Sequence, residues 1–438
     1  MKRLVLMLVM ATTLATSVAA AAPVTTPPAV ARHVLPNGLV VLVREDPAVG
    51  VVAASLMVRS GSALETAETA GVTNFLQRML LRGTKRHSTL ALAEAAEELG
   101  GGLDASGDVD YAELRGTAIA RHWEALLSLM ADVALEPTLP AAELERERDW
   151  VLGRLQERAD QPFQRALDTV LIDLYGAHPY AWPALGRTES VKRLTRDALL
   201  ERYATAYRAD RMVLAVAGSV SRQRVIAVAE RLFKRVPSGA ATATTPDVEA
   251  SPRGDRRLVE RDARQAQVLV GFLAPPLTHP DYPAVRVLGA VLGGGMSSRL
   301  FVELRDRRGL AYSTGVLTTN RTGPGLFLPY LGTAPTNADA AVTGVLAEVE
   351  RLRRDRVDER ELGRAKAWLL GNLAMDRRTS ARHAWYLAYS ELVGGGWDWP
   401  ERFARAVEAV TVADVVRVAE RYLAKPTVVV LRPAETVR

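Results

Sequence analysis

The chain alternates short runs of β-branched and aliphatic residues with longer amphipathic stretches. Runs of this kind, bounded by polar, Gly or Pro residues, are typical of buried strands. The predicted strands are 39–43, 51–57, 212–218, 267–272 and 427–431. Helices are predicted over 195–207 and 411–422, each immediately before the last strand of its half. Thr411 and Asp414 also fit the capping-box pattern of a helix N-terminus.

The two halves of the sequence resemble each other. Residues 150–155 read Trp-Val-Leu-Gly-Arg-Leu, and residues 368–373 read Trp-Leu-Leu-Gly-Asn-Leu. The predicted helices that open at Thr195 and Thr411 follow these segments at comparable distances. Chance similarity of helices rich in Ala, Leu and Arg is the alternative to a duplication. We predict an α+β fold of two homologous domains, each a mostly antiparallel sheet with helices packed on one face.

Residues 237–255 separate the two predicted domains. They contain three Pro, two Gly and no periodic apolar pattern. This composition is typical of a linker. The N-terminal domain is therefore predicted over 30–236 and the C-terminal domain over 256–438.

Residues 1–22 have the pattern of a secretory signal peptide. A cationic start is followed by an apolar run to about Val18 and by four Ala residues before Pro23. A membrane anchor is the alternative, but the run contains Thr and Ser and is shorter than the ~20 apolar residues that a span requires. We expect a periplasmic or secreted protein that has no membrane span once the signal is removed.

Composition excludes several classes of site. The 438 residues include 56 Lys+Arg and 50 Asp+Glu, a formal net charge of +6. This small basic excess is mixed with acids throughout and does not predict nucleic-acid binding. The absence of Cys excludes disulfides, thiolate zinc sites, iron–sulfur clusters and cysteine nucleophiles. The 6 His are dispersed along the chain, which excludes a local two-His metal motif.

Residues 71–84 lie on an amphipathic helical stretch that is predicted to end near Gly83. Their sequence, Gly-Val-Thr-Asn-Phe-Leu-Gln-Arg-Met-Leu-Leu-Arg-Gly-Thr, resembles the zinc-motif region of the pitrilysin/insulinase family of zinc peptidases, which includes the mitochondrial processing peptidase. Five further segments resemble the family in the same order, namely 35–39, 100–105, 145–149, 292–301 and 304–312. The resemblance spans nearly the whole chain and implies the family's LuxS/MPP-like metallohydrolase fold.

The metal ligands of the family are not retained. The family places two His four residues apart on one helix face, a Glu before the second His as general base, and a remote Glu as third ligand. The corresponding positions here hold Asn74, Gln77, Arg78 and Arg154. Arg has no lone pair for a metal, and Gln cannot take a proton from water. The resemblance thus implies a member that lacks the zinc motif, and we expect no cofactor in this chain.

Two arginines replace a dication and a ligating carboxylate. Other carboxylates near these positions are Glu147, Asp108, Asp110 and Glu157, and oxygen ligands alone are a poor set for zinc. Two unit charges ~4 Å apart repel by about 4 kcal/mol in a partly buried site. Arg78 and Arg154 are therefore predicted to pair separately with acids, with Glu147 as the first candidate.

Arg305 and Tyr312 match a pair that active family members use to bind the substrate carbonyl and its developing oxyanion. A phenol and a fixed cation suit that role, because they donate hydrogen bonds where negative charge develops. The alternative is a surface Arg and a Tyr in a predicted strand, 312–316. The Gly run at 293–295 lacks the pattern of a nucleotide-binding loop. The resemblance also places a substrate cleft beside Gly102, Leu103, Asp104 and Ala105.

Three functions remain open on this evidence. Some bacterial family members pair a subunit that carries the zinc motif with a subunit that carries the Arg/Tyr pair. The favoured hypothesis is that this chain is the second kind of subunit, acting on a peptide or unfolded protein with a zinc-bearing homologous partner. The second hypothesis is a catalytically inactive scaffold or peptide-binding protein of the same fold. The third is a hydrolase of another class that uses Ser297 or Ser298, although no His is nearby in sequence.

Overall fold

A computed structural model describes residues 29–239, 248–354 and 357–434. The strands are β1 (Val30–Val34), β2 (Val40–Glu45), β3 (Val51–Val58), β4 (Gly102–Gly107), β5 (Ala112–Ile119), β6 (Met212–Gly218), β7 (Arg256–Glu260), β8 (Ala266–Ala274), β9 (Ser313–Thr318), β10 (Gly325–Thr333) and β11 (Thr427–Arg432). The α-helices are α1 (Val72–Leu80), α2 (Thr89–Glu98), α3 (Trp123–Leu135), α4 (Ala141–Asp160), α5 (Pro162–Tyr175), α6 (Thr188–Val191), α7 (Arg196–Ala206), α8 (Arg222–Phe233), α9 (Tyr282–Gly293), α10 (Ala338–Arg354), α11 (Glu359–Asp376), α12 (Ser380–Leu392), α13 (Trp399–Ala409) and α14 (Val412–Tyr422). None of the described helices is long and apolar enough to cross a membrane, and the predicted signal peptide lies outside the described residues.

The two sheets repeat one topology. The first has the strand order β1-β2-β6-β3-β5-β4, and the second has the order β7-β11-β8-β10-β9. β2 runs parallel to β6 and β7 runs parallel to β11, whereas all other neighbouring strands are antiparallel. Apart from β1, the two sheets therefore coincide strand by strand in order and direction. This agreement confirms the predicted α+β fold of two similar halves.

Each sheet is covered on both faces, and one covering helix comes from the other half. α12 of the second half packs on β3 and β6, and α5 of the first half packs on β8 and β11. The buried residues of these two helices include Ala166, Val170, Leu174, Ala384, Leu387 and Ala388. Strands covered on both faces are apolar throughout rather than alternating, and β6 is buried along its whole length. The halves are thus joined by a reciprocal exchange of helices, in addition to the helices that cover one face of each sheet as predicted.

The predicted linker is anchored where it enters the second half. Asp173 of α5 is buried, and its carboxylate lies 2.9 Å from the Arg257 guanidinium and 3.7 Å from that of Arg253. The backbone N–H of Arg253 also donates to the carbonyl of Asp173 at 3.0 Å. Burial raises the pKa of Asp173, and the two arginines oppose this shift. Residues 240–247 of the linker lie outside the described residues.

Candidate functional site

α1 carries three of the four altered zinc positions, and a buried carboxylate holds its N-terminus. Glu65 accepts hydrogen bonds from the backbone N–H groups of Gly71 at 2.7 Å and Thr73 at 2.8 Å. A helix leaves these first N–H groups without intrahelical partners. Arg202 of α7 donates to the Thr73 hydroxyl at 2.8 Å. Burial raises the pKa of Glu65, and Arg202 and the hydrogen bonds oppose this shift.

Two glycines allow other segments to approach α1 closely. Gly71 has a φ of 95°, and a Cβ there would lie 2.6 Å from the carbonyl oxygen of Leu185. At Gly107, the last residue of β4, a Cβ would lie 2.9 Å from the backbone nitrogen of Asn74. The end of β4 therefore packs directly against the helix that bears the altered motif.

Arg78 is held by a carboxylate and an indole ring. Its Nε lies 2.6 Å from one oxygen of the buried Glu147, whose other oxygen lies 2.5 Å from Arg82. The Arg78 guanidinium carbon lies 3.3 Å from the centre of the Trp150 ring, within the range of a cation–π contact. Burial lowers the pKa of Arg78, and Glu147 opposes this shift. An ion pair and a cation–π contact thus link α1 to α4 at the position that the resemblance assigns to the zinc site.

Arg154 pairs separately on the exposed side of α4. Its partner is Glu157, one turn further along the helix, and both side chains are about half exposed. The guanidinium carbon of Arg154 lies 5.7 Å from the centre of the Trp150 ring. The prediction that Arg78 and Arg154 pair with different acids, and Arg78 with Glu147, is confirmed.

Gln77, at the position of the family's general base, is directed into the protein core. Its side chain is buried, and its Oε1 accepts a hydrogen bond from the Tyr207 hydroxyl at 3.0 Å. Burial raises the pKa of Tyr207. The Nε2 of Gln77 and the Oδ1 of Asn74 are buried without a hydrogen-bond partner among the described residues. Neither group is arranged to activate water.

The residues around α1 do not fit a zinc ion. Glu147, the buried carboxylate that α4 directs toward Arg78 of α1, already binds two guanidinium groups. Within the described ranges no group of three or more His, Asp or Glu residues is placed to hold a metal. Asp108 pairs with Arg321 at 3.1 Å, and Asp110 accepts from the hydroxyls of Tyr180 and Thr322. These alternative oxygen ligands are therefore already committed to other partners.

The substrate cleft that the resemblance implies lies at the edge of the first sheet. Gly102, Leu103, Asp104 and Ala105 are on β4, the terminal strand, which pairs with β5 alone among the described strands. Between this edge and α12 lies a cavity of about 380 Å³. A terminal strand has free N–H and C=O groups that can pair with an extended peptide.

Arg305 and Tyr312 lie at the corresponding edge of the second sheet. Arg305 is exposed in the π-helical turn Phe301–Arg307, and its guanidinium carbon lies 4.6 Å from the Phe301 ring centre. Tyr312 is 61% exposed immediately before β9, and its backbone N–H donates to Gly332 at 2.9 Å. No hydrogen bond or ion pair within the described ranges engages either side-chain polar group. The strand predicted from residue 312 begins one residue later, at Ser313.

The Gly-rich loop before this turn gives no support to a serine hydrolase. The Ser298 hydroxyl donates to the carbonyl of Gly295 at 2.6 Å. Gly295 has a φ of 133°, and a Cβ there would lie 3.1 Å from the indole nitrogen of Trp368. No described hydrogen bond joins Ser297 or Ser298 to a His. The hydroxyl of Ser298 therefore stabilises the turn that begins at Gly295.

Comparisons with known proteins match this architecture. Residues 40–187 match the family described as insulinase (peptidase family M16), and residues 193–369 match the peptidase M16 inactive domain. A protein of Mycobacterium tuberculosis named as a zinc protease is 34% identical over 400 residues, which cover 90% of this chain and 91% of the relative. The zinc protease YmxG of Bacillus subtilis is 27% identical over 344 residues, covering 78% and 83%.

Two crystal structures have a similar fold. A peptidase M16 inactive domain from Pseudomonas fluorescens superposes with a TM-score of 0.86 and 25% identity, covering 93% of this chain and 99% of that one. A protease from Helicobacter pylori superposes with a TM-score of 0.87 and 23% identity, covering 93% and 100%. The similarity thus includes both halves and their arrangement.

Proposed function

This chain belongs to the insulinase (M16) family of peptidases, and from that premise we propose that it is the zinc-free subunit of an exported, heterodimeric metallopeptidase. Its partner would be a homologous subunit that keeps the zinc motif, and its substrate a peptide or unfolded protein. The observation that carries the proposal is a contrast between two sets of side chains. Arg78, Glu147 and Trp150 form a closed cluster, whereas Arg305 and Tyr312 are exposed and make no described side-chain hydrogen bond or ion pair. Export is inferred from residues 1–22.

The contribution of this chain to catalysis would be hydrogen-bond donation. Arg305 offers guanidinium N–H groups, and Tyr312 offers a hydroxyl that is 61% exposed. Donors held in place before the reaction stabilise an oxyanion because little reorganisation is needed when charge develops. An extended peptide could be held by pairing with a free sheet edge, as at β4 or β9. Zinc chemistry is assigned to the partner alone.

The experiment is a reconstitution. The chain and an exported homologue that keeps the His-x-x-Glu-His motif are purified separately and mixed, and peptide cleavage and bound zinc are measured for each protein and for the mixture. We expect cleavage by the mixture, zinc in the partner, and neither in this chain alone. A stable complex that does not cleave peptides would instead support the inactive scaffold or peptide-binding protein.

The donor role is tested in the same mixture. Arg305→Ala and Tyr312→Phe should each lower turnover by about 10²-fold, because each removes one donor to the oxyanion. Arg307→Ala is the matched control. Arg307 lies in the same π-helical turn, but its guanidinium already pairs with Glu303. Wild-type turnover by both Arg305→Ala and Tyr312→Phe would reject the donor role.

A further inference from the structure

We infer that the cavity between the first sheet and α12 is a specificity pocket for a cationic side chain, lysine or arginine, of an extended peptide bound along β4. This inference rests on the peptide binding contained in the proposed function and adds the chemical class of residue that is selected. The cavity has a volume of about 380 Å³, enough to admit a long side chain. Its floor is formed by β3, β4 and β5, and its roof by α12.

The floor contains a buried carboxylate. Glu113 of β5 is 2% exposed and lines the cavity. The Ser55 hydroxyl donates to Oε1 of Glu113 at 2.6 Å. The contact between the Arg115 guanidinium and Oε2 of Glu113 is long, at 3.5 Å. A buried carboxylate is costly unless its charge is paired and both oxygens are hydrogen-bonded. Burial accordingly raises the pKa of Glu113.

The other charged groups around the cavity have nearer partners. Arg115 forms a short ion pair with Asp104 of β4. Arg382 of α12 pairs with Asp376 at 2.5 Å, and Asp376 also accepts a hydrogen bond from the Tyr386 hydroxyl. The charged residues that line the cavity are two carboxylates, Asp104 and Glu113, and two guanidinium groups, Arg115 and Arg382, so their charges balance. Glu113 is the carboxylate whose partner is most distant, so an added cation is best placed beside it.

The strand geometry directs peptide side chains toward this carboxylate. Asp104 lies opposite Arg115 in the β4–β5 register, and Ser106 lies opposite Glu113. Residues at alternate positions of a strand share one face, so these four residues face α12 together. A peptide strand added to the free edge of β4 would present every second side chain to the same face.

The remaining walls suit the stem of a long cationic side chain. Ala53 of β3 and Ala381 of α12 provide apolar surface beside the charged groups. Trp385 forms part of the roof and is held rigidly, because its ring stacks on Tyr389 with centres 4.6 Å apart. Lysine and arginine side chains pack their methylene groups on apolar surface and keep the charged end at a polar partner. An acidic side chain in the same position would instead be repelled by the buried Glu113 carboxylate.

The test measures peptide binding by the purified chain without a partner. Fluorescent extended peptides of a neutral sequence carry a single lysine, norleucine or glutamate at each successive position, and their dissociation constants are measured by fluorescence anisotropy. We expect lysine to bind about tenfold more tightly than norleucine at alternate positions, since a charge-assisted hydrogen bond is worth roughly that ratio. Glutamate should bind more weakly than norleucine.

Variants assign the preference to Glu113. Glu113→Gln should reduce lysine binding to the norleucine level, while the affinity for norleucine stays unchanged. Arg115→Gln, which removes the competing cation, should strengthen lysine binding by several-fold, a gain that misfolding cannot produce. The matched control is Glu94→Gln, the same change at an exposed residue of α2.

The possible results separate this inference from the proposed function. Equal binding of lysine and norleucine peptides, tighter binding of glutamate, or a lysine preference that survives Glu113→Gln would each overturn the cationic pocket. If such a result accompanies peptide cleavage by the reconstituted mixture, the proposed function stands and the inference alone fails. Absence of binding for every extended peptide would also overturn the inference, and peptide cleavage by the reconstituted mixture would then decide the proposed function separately.

Discussion

Arg78 of the first half is enclosed by Glu147 and Trp150, whereas Arg305 and Tyr312 of the second half lie exposed at a free sheet edge. Both regions occur in halves of the same topology, so the fold does not dictate this difference. The side chains of the first region satisfy one another and stabilise the packing of α1 on α4. Those of the second region have polar groups available to another molecule. The comparison indicates that equivalent parts of two similar halves differ in how many of their polar groups are already paired.

The prediction with the largest expected effect introduces the family's zinc ligands at the altered positions of α1 and α4. A variant with four substitutions, Asn74→His, Gln77→Glu, Arg78→His and Arg154→Glu, should bind about one Zn²⁺ per chain, because it supplies the two His and the remote Glu of the family's zinc motif. The wild-type chain should retain no zinc after dialysis, as measured by mass spectrometry of the metal content. A variant that keeps Arg154 is the control and should bind zinc more weakly. A folded four-substitution variant without zinc would show that more than these side chains separates the two regions.

The next test concerns the closed cluster itself. Glu147→Ala should lower the free energy of unfolding by about 3 kcal/mol, because it leaves Arg78 and Arg82 partly buried without their shared carboxylate. Glu157→Ala should change it by less than about 0.5 kcal/mol, since the Arg154–Glu157 pair is half exposed. Urea unfolding curves give both values. Equal losses in the two variants would contradict a structural role for the enclosed cluster.

The smallest expected change in stability comes from removing a tyrosine hydroxyl in each half. Tyr207→Phe should lower the free energy of unfolding by about 1–2 kcal/mol, because it leaves the buried Gln77 amide without its hydroxyl donor. Tyr312→Phe should change stability by less than about 0.5 kcal/mol, since its hydroxyl has no described partner. Thermal unfolding measures both. A large loss of stability in Tyr312→Phe would mean that this residue supports the fold and is not free for substrate.

Much of the fold could be predicted because β-branched runs mark the central strands. The run at 212–218 is observed as Met212–Gly218, and the predicted capping box at Thr411 is present. β10 was not predicted. It contains Pro329, a residue that argues against a central strand, yet it lies between β8 and β9. Its pairing with β8 is interrupted at Leu328 and Pro329, which explains how the proline is tolerated.

The candidate site was predictable in part, for a physical reason. Charge repulsion was sufficient to predict separate partners for Arg78 and Arg154. The capping of α1 by Glu65, the stacking of Arg78 on Trp150 and the position of Glu113 beside α12 depend on how distant segments pack. An amphipathic helix pattern shows that a face is buried but does not show which sheet covers it. The reciprocal exchange of α5 and α12 could not be predicted for the same reason.

That exchange has a mechanical consequence. Each half packs one helix of the other half into its own core. Separating the two halves by a hinge motion would therefore expose buried apolar surface to water. A protease site engineered into residues 240–247 should therefore yield two fragments that still migrate as one particle after the chain is cut. A substrate would therefore have to bind at the strand edges without separation of the two halves. A second subunit would likewise have to bind without separating them.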